Sequence, residues 1–86
     1  MPKKVLQVKV FCAPLIEKDP FRGEADAVSS QNKLGKFDIL PEHTNFITLI
    51  SDELTIHTAD KKKVAYQFER GVLEVSENKV NIFLGL

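Results

Sequence analysis

The chain is poor in the features that mark secreted, membrane-spanning or strongly charged proteins. Its single cysteine, Cys12, excludes an internal disulfide, so nothing requires an oxidising compartment. No apolar run approaches the roughly 18 residues that a membrane span needs. Gln7 and Lys9 interrupt the first apolar stretch, which argues against a signal peptide. Twelve basic and twelve acidic residues cancel, which argues against a nucleic-acid partner and against attachment to an anionic membrane by charge alone. With no long apolar run either, we expect no direct membrane insertion.

The sequence also lacks the patterns of common catalytic and ligand sites. It contains no phosphate-binding loop, so we expect no ATP binding by the isolated chain. His43, His57 and Cys12 are scattered over different segments and do not have metal-ligand spacing. No serine or cysteine has a motif that places it beside a base, and the run Lys61–Lys63 is typical of a solvated turn. We therefore predict no catalytic residue, no cofactor and no metal.

What the sequence does contain is period-two alternation of apolar and polar residues, with almost no helical periodicity. Short strands every 8–12 residues, with no helix between them, are typical of an antiparallel sandwich or barrel. We predict a single all-β domain over residues 1–86, an antiparallel β-sandwich of about eight to ten short strands. The strands read from the pattern are Leu6–Cys12, Phe21–Ser29, Gly35–Leu40, Phe46–Ile50, Leu54–His57, Val64–Phe68, Val72–Val75 and Val80–Leu84.

Alternation also predicts which side chains share a face. In the first strand Leu6, Val8, Val10 and Cys12 lie on one side, with Gln7, Lys9 and Phe11 on the other. In the second strand one face carries Phe21, Gly23, Ala25 and Ala27. Residues 76–79 are predicted to form a tight hairpin turn in which Asn78 takes a positive φ.

Residues 35–50 contain a proline and a histidine, Pro41 and His43, in an ungapped stretch that closely resembles the central segment of the epsilon subunit of F-type ATP synthases, called delta in mitochondria. Phe21–Val28 resembles a strand of the same family, and residues 71–80 resemble its closing hairpin. The resemblance runs from about Val8 to Leu84, which is nearly the whole chain.

This resemblance implies a non-catalytic β-sandwich that docks on the gamma subunit and touches the polar loops of the membrane c-ring. Its work would be to couple gamma to c-ring rotation in the central stalk of a proton- or sodium-translocating synthase, peripheral to the cytoplasmic face of the cell membrane. We expect a monomer when it is isolated. The residues expected at the partner-binding surface are Lys36, Pro41, Glu42, His43 and Thr48, with Cys12 as a weaker candidate.

The chain departs from the family pattern in three ways. Lys36 stands where the family commonly has an acidic residue, a charge reversal that either removes a contact or marks a partner of reversed charge. The connection from Cys12 to Phe21 is longer than usual and is stiffened by two prolines. Full-length relatives carry a C-terminal helical hairpin, which we do not expect in these 86 residues. The alternative is a free-standing β-sandwich interaction module derived from this family.

Overall fold

The computed structural model describes residues 4–14 and 16–86. Within these ranges all regular structure is β, and the prediction of an all-β domain is confirmed. The six strands are β1 (Leu6–Cys12), β2 (Phe21–Asn32), β3 (Gly35–Ile39), β4 (Phe46–Thr58), β5 (Lys63–Ser76) and β6 (Lys79–Leu84).

The strands form a flattened, closed arrangement with overall dimensions of 41 × 26 × 17 Å. They follow the order β1-β6-β5-β4-β2-β3, and a pairing between β1 and β2 closes a five-strand ring. All pairs are antiparallel except β1–β6, which is parallel from Gln7↔Lys79 to Cys12↔Leu84. The expectation of a wholly antiparallel sandwich is therefore wrong for this one pair. Parallel neighbours need a long connection, and most of the chain separates these two strands.

The described residues form six strands rather than the predicted eight to ten, because two long strands each read as two short ones. β4 contains both Phe46–Ile50 and Leu54–His57, and β5 contains both Val64–Phe68 and Val72–Val75. The polar stretch around Asp52 resembles a turn in sequence, and Asp52 does take a positive φ of 72°. The ladder nevertheless resumes on both sides of it.

β-Bulges explain why the alternation changes phase inside the long strands. In β5 the buried residue before the bulge, Tyr66, has an even number, whereas the buried residues from Gly71 onward have odd numbers. The change arises because Glu69 and Arg70 together lie opposite one residue of β4. Asp26 is the extra residue in β2, where the register shifts between Ala25 and Ala27. Val28 is consequently buried, and Ala27 does not continue the inward face of Ala25 as predicted. Each bulge lets one strand serve both layers of the sandwich.

The core fills the space inside the ring with aliphatic side chains. Leu6, Val8 and Val10 are buried, as alternation predicts, and belong to a single core cluster to which all six strands contribute. The hydroxyl of Tyr66 donates to the carbonyl of Asp19 at 2.9 Å, which pins the loop between β1 and β2. The hairpin between β5 and β6 turns at Glu77 and Asn78, with φ of 51° and 62°, so the prediction for Asn78 is confirmed.

Candidate interaction surface

Pro41, Glu42 and His43, three of the predicted partner-binding residues, lie in the loop between β3 and β4. Glu42 has a positive φ of 71°, and its side chain forms an ion pair with Lys4. The backbone N–H of His43 donates to the carbonyl of Leu40 at 3.1 Å, closing the turn. The His43 ring lies 5.5 Å from the ring of Phe46, centroid to centroid. The loop therefore contains a hydrogen-bonded turn and is not an irregular segment.

Two asparagines fasten this loop to the β5–β6 hairpin. The Glu42 N–H donates to Oδ1 of Asn78 at 2.7 Å. In the reverse direction, the N–H of Glu77 donates to Oδ1 of Asn45 at 3.3 Å. Each hydrogen bond satisfies a backbone donor at a turn residue with positive φ, where no strand partner exists. This asparagine clasp therefore fixes the position of the loop relative to β6.

The other three predicted residues lie apart from the loop and from one another. Lys36 is exposed on β3, and its Nζ is 3.3 Å from Oε1 of Glu53. Thr48 lies on the inner side of β4, where its hydroxyl accepts a hydrogen bond from Asn32 at 3.2 Å. Cys12 lies at the end of β1, about 17 Å along the strand from the end nearest Asn78. The six residues do not converge on one site.

The most distinctive surface feature is a row of apolar side chains across one outer face. The pairings Leu49↔Val72, Val72↔Phe83 and Phe11↔Phe83 bring four residues into line across four adjacent strands. The row is about 14 Å long at the usual strand spacing. The two phenylalanine rings stack with centroids 5.0 Å apart. We call Leu49, Val72, Phe83 and Phe11 the apolar row.

Two further apolar side chains extend this row at its β4 end. Ile47 and Leu34 line the same surface depression as Leu49. Leu34 is 96% exposed, Leu49 68% and Ile47 67%, while Phe11 and Phe83 remain 47% and 41% exposed. Large, contiguous exposed apolar patches on soluble domains mark sites where another molecule binds. This face is therefore the best candidate for a docking surface.

Sequence reasoning missed the apolar row, although one signal was present. Residues 46–50 are apolar at four of five positions, a run in which alternation fails and both faces of the strand are hydrophobic. Phe11 also falls on the same side as Gln7 and Lys9, the polar side of the first strand. The outward apolar residues come from four strands, however, and only strand register brings them together.

The opposite outer face is polar, and several of its side chains are paired within the chain. Lys36 pairs with Glu53, and Nε2 of Gln31 donates to Asp52 at 2.6 Å. Ser29 donates to Oδ1 of Asp38 at 2.5 Å. The two outer faces of the sandwich are thus dissimilar, since one carries the apolar row and the other carries these paired polar side chains.

The Oγ of Ser29 is 3.1 Å from Nε2 of His57, which is the contact that a nucleophilic serine makes with its base. Nucleophilic catalysis needs the serine to donate to the histidine, and an acid to hold the other ring nitrogen. Here the serine proton is directed to Asp38, and the acid contacts the serine instead of the imidazole. No sequence motif indicates this contact, since Ser29, Asp38 and His57 lie on three different strands. These hydrogen bonds are those of a structural polar cluster and not of a catalytic triad.

Cys12 and Tyr66 are the titratable side chains most affected by burial. Desolvation raises the pKa of the Cys12 thiol above its ordinary value of 9.0, and the charge of Asp19 raises it further. Desolvation likewise raises the pKa of Tyr66 above 10.0, with smaller contributions from Cys12 and Asp19. A thiol held protonated in this way is a poor nucleophile. Cys12 is therefore a packing residue with low reactivity.

Neither a metal cluster nor a transmembrane helix occurs in the part of the chain that the structure describes. Across residues 4–14 and 16–86, no three His, Cys, Asp or Glu side chains are grouped so that they could hold a metal ion. No helix in these ranges is long and apolar enough to cross a membrane. The described residues form a β-sandwich with a candidate docking face.

Comparison with known proteins places the chain in a specific family. Residues 15–84 match the family model described as the β-sandwich domain of the ATP synthase delta/epsilon chain. The chain belongs to this family, whose members are non-catalytic subunits. The resemblance noted from residues 35–50 is thereby confirmed, as is the sandwich class of the fold.

Individual relatives agree with the family assignment. The chain is 29% identical over 69 residues to the ATP synthase epsilon chain of Corynebacterium aurimucosum, covering 78% of this chain and 57% of that protein. It is 34% identical over 65 residues to the epsilon chain of Sulfurimonas denitrificans, covering 74% and 50%. The chain thus spans about half the length of these curated relatives.

A solved structure supports the fold. A chain in the mitochondrial ATP synthase of Euglena gracilis, in a structure of OSCP, F1 and c-ring in rotational state 1, superposes with a TM-score of 0.77. The match covers 95% of this chain and 51% of that one, at 15% sequence identity. The likeness is one of fold.

Proposed function

We propose that this chain is the β-sandwich part of a central-stalk subunit that couples the gamma subunit to the c-ring in an F-type ATP synthase. Family membership gives the assembly. The observation that carries the proposal is the apolar row, a face that stays exposed in the isolated chain and suits a permanent partner. The isolated domain has no reaction of its own and works by holding two partners together, at the cytoplasmic face of the membrane.

The apolar row is the surface we assign to gamma. A subunit that must turn with its partner needs a contact that resists torque, and buried apolar cores supply most of the strength of such interfaces. Leu49 and Phe83 are large members of the apolar row and remain 68% and 41% exposed. These side chains are the expected anchors.

The polar face and the loop held by the asparagine clasp are the surfaces we assign to the c-ring. Its polar loops require hydrogen bonds and charge pairing, which Lys36, Glu42 and His43 can provide from exposed or half-exposed positions. Lys36 and Glu42 each already form an ion pair within the chain, with Glu53 and Lys4. Exposed pairs contribute little to folding, so exchange with a partner's charges has a low cost.

Binding to purified gamma tests the first assignment. Leu49→Gln should weaken the complex about tenfold, close to 1.4 kcal/mol, because it replaces an apolar anchor by a polar side chain of similar size. The matched control is Ala65→Gln, which places the same side chain at an exposed position on the other outer face of β5. Equal loss in both variants, or none in either, would contradict the assignment. Failure of the wild type to bind gamma at all would favour the free-standing interaction module.

Recovery of the gamma–c-ring assembly tests the second assignment. Lys36→Glu should reduce recovery, more at low than at high ionic strength, because screening weakens exposed charge contacts. It leaves binding to isolated gamma unchanged if Lys36 faces only the c-ring. Equal recovery of wild type and variant at both salt concentrations would remove Lys36 from the interface.

A further inference from the structure

Lys9 and Arg22 form an unusual pair beside the apolar row. They are directly opposite each other in the antiparallel pairing of β1 with β2. Both are exposed and point to the same outer face as Phe11. Like charges directly opposite across a sheet are destabilising. The fold therefore carries a local electrostatic cost at this position.

Neither Lys9 nor Arg22 forms an ion pair among the residues that the structure describes. The ion pairs found there belong to Lys4, Lys36, Lys61 and Lys62. Glu24, the acid nearest to Arg22 on its own strand face, instead accepts a hydrogen bond from Gln7 at 3.1 Å. Glu74 lies in the same cross-strand row as Lys9 but two strands away.

The two cations are contiguous with the candidate docking surface. Lys9 and Arg22 line one surface depression together with Phe11, Pro20 and Phe21. Phe11 is also the last member of the apolar row and stacks on Phe83. A partner that covers the row would also cover the depression and partly desolvate both cations. Covering them is favourable only if the partner brings negative charge.

We propose that Lys9 and Arg22 form a cationic clamp for carboxylate side chains of gamma, positioned beside the apolar segment that packs on the row. The proposal rests on the proposed function and specifies the chemistry of the partner surface. Apolar contact alone allows a face to slide across a flat row. Two adjacent cations at one end give the complex a single register, and Arg22 can bind one carboxylate with two parallel hydrogen bonds. Lys9 and Arg22 are thus specificity-determining residues of the interface.

Charge reversal separates this role from a structural one, because folding and binding should respond in opposite directions. Lys9→Glu converts the like-charged pair into a cross-strand ion pair with Arg22, so the melting temperature should stay equal or rise. The same variant should lower the association rate with purified gamma about tenfold at low salt, with a smaller effect near 0.5 M salt. Arg22→Glu should behave in the same way.

The matched control is Lys63→Glu, which makes the same change in net charge at an exposed position of β5 on the other outer face. Its association rate should remain within about twofold of wild type, since it shares only the long-range charge effect. Surface plasmon resonance at two salt concentrations, with thermal melts of each variant, gives the required readouts. If wild type binds gamma and all three variants bind alike, the clamp is refuted while the proposed function stands. If wild type does not bind gamma, the proposed function itself fails.

Discussion

Gly71 is the position at which one added methyl group should disturb both the fold and the docking face. A Cβ atom at this residue would lie 2.6 Å from the carbonyl oxygen of Phe83 and 3.1 Å from Cδ2 of Leu84. Gly71 pairs with Leu84 on one side and with Ile50 on the other, so two ladders hold it in place. The oxygen belongs to the backbone of β6, and it cannot move aside without displacing the strand. We predict that Gly71→Ala is destabilising.

The size of the effect follows from two opposed terms. Replacing a strand glycine by alanine removes conformational freedom from the unfolded chain, which favours folding by about 0.5–1 kcal/mol. Forcing an extra methyl into a packed site costs about 1–3 kcal/mol, and a backbone clash lies at the upper end. The net loss should be about 1–2 kcal/mol, or a fall of about 4–16 °C in Tm for a domain of this size. Because Phe83 lies in the apolar row, gamma binding should weaken as well.

Gly23→Ala is the control for this prediction. There the added Cβ would meet only ring atoms of Phe21, the nearest being Cζ at 3.2 Å, which is the far end of a side chain that can turn. Its stability should stay within about 0.5 kcal/mol of wild type. Urea unfolding followed by circular dichroism, with unchanged m-values, measures both variants. A Gly71→Ala variant as stable as wild type would refute the close approach of β5 and β6.

Two further changes probe the loop and the buried titratable groups. Asn78→Gly keeps the positive φ but removes the acceptor for the Glu42 N–H. The free energy of unfolding should therefore fall by about 1 kcal/mol. Glu77→Gly is its control in the same turn, and equal urea midpoints for the two variants would contradict the role of the clasp. Because folding raises the pKa values of Cys12 and Tyr66, the unfolded chain loses these protons at a lower pH than the folded chain does. The unfolding free energy should therefore be undiminished at neutral pH and fall as the pH rises above the ordinary thiol pKa of 9.0. Cys12→Ala should make the unfolding free energy depend less on pH. If the unfolding free energies of variant and wild type differ by the same amount at every pH, this expectation is wrong.

Local patterns accounted for the class of the fold and much of its core. Alternation in residues 6–12 assigned Leu6, Val8 and Val10 inward and Phe11 outward, and both assignments are confirmed. Side chains on a strand alternate whatever its neighbours are, so this information is present in any short window. The turn at Asn78 was predictable for a similar reason, since few residues other than glycine tolerate positive φ.

The strand count failed where local pattern is ambiguous. A change of phase, as at Glu69 and Arg70, has the same appearance whether the chain turns back or bulges and continues. Only the partner strand distinguishes the two cases, because continued ladder hydrogen bonds define one strand. The parallel pairing of β1 with β6 is likewise a contact between the two ends of the described chain, which no local window contains.

The candidate interaction surface also has one part that the sequence predicted and another that only the tertiary structure revealed. The resemblance of residues 35–50 identified the family from contiguous sequence, and it supplied Pro41, Glu42 and His43 as a loop that the structure shows to be well defined. The apolar row and the pair of cations beside it are absent from every local window, because their members are brought into line by cross-strand register. Alternation determines that a side chain faces outward, whereas register determines which outward side chains become neighbours. The docking face therefore exists only once the ring of strands has closed.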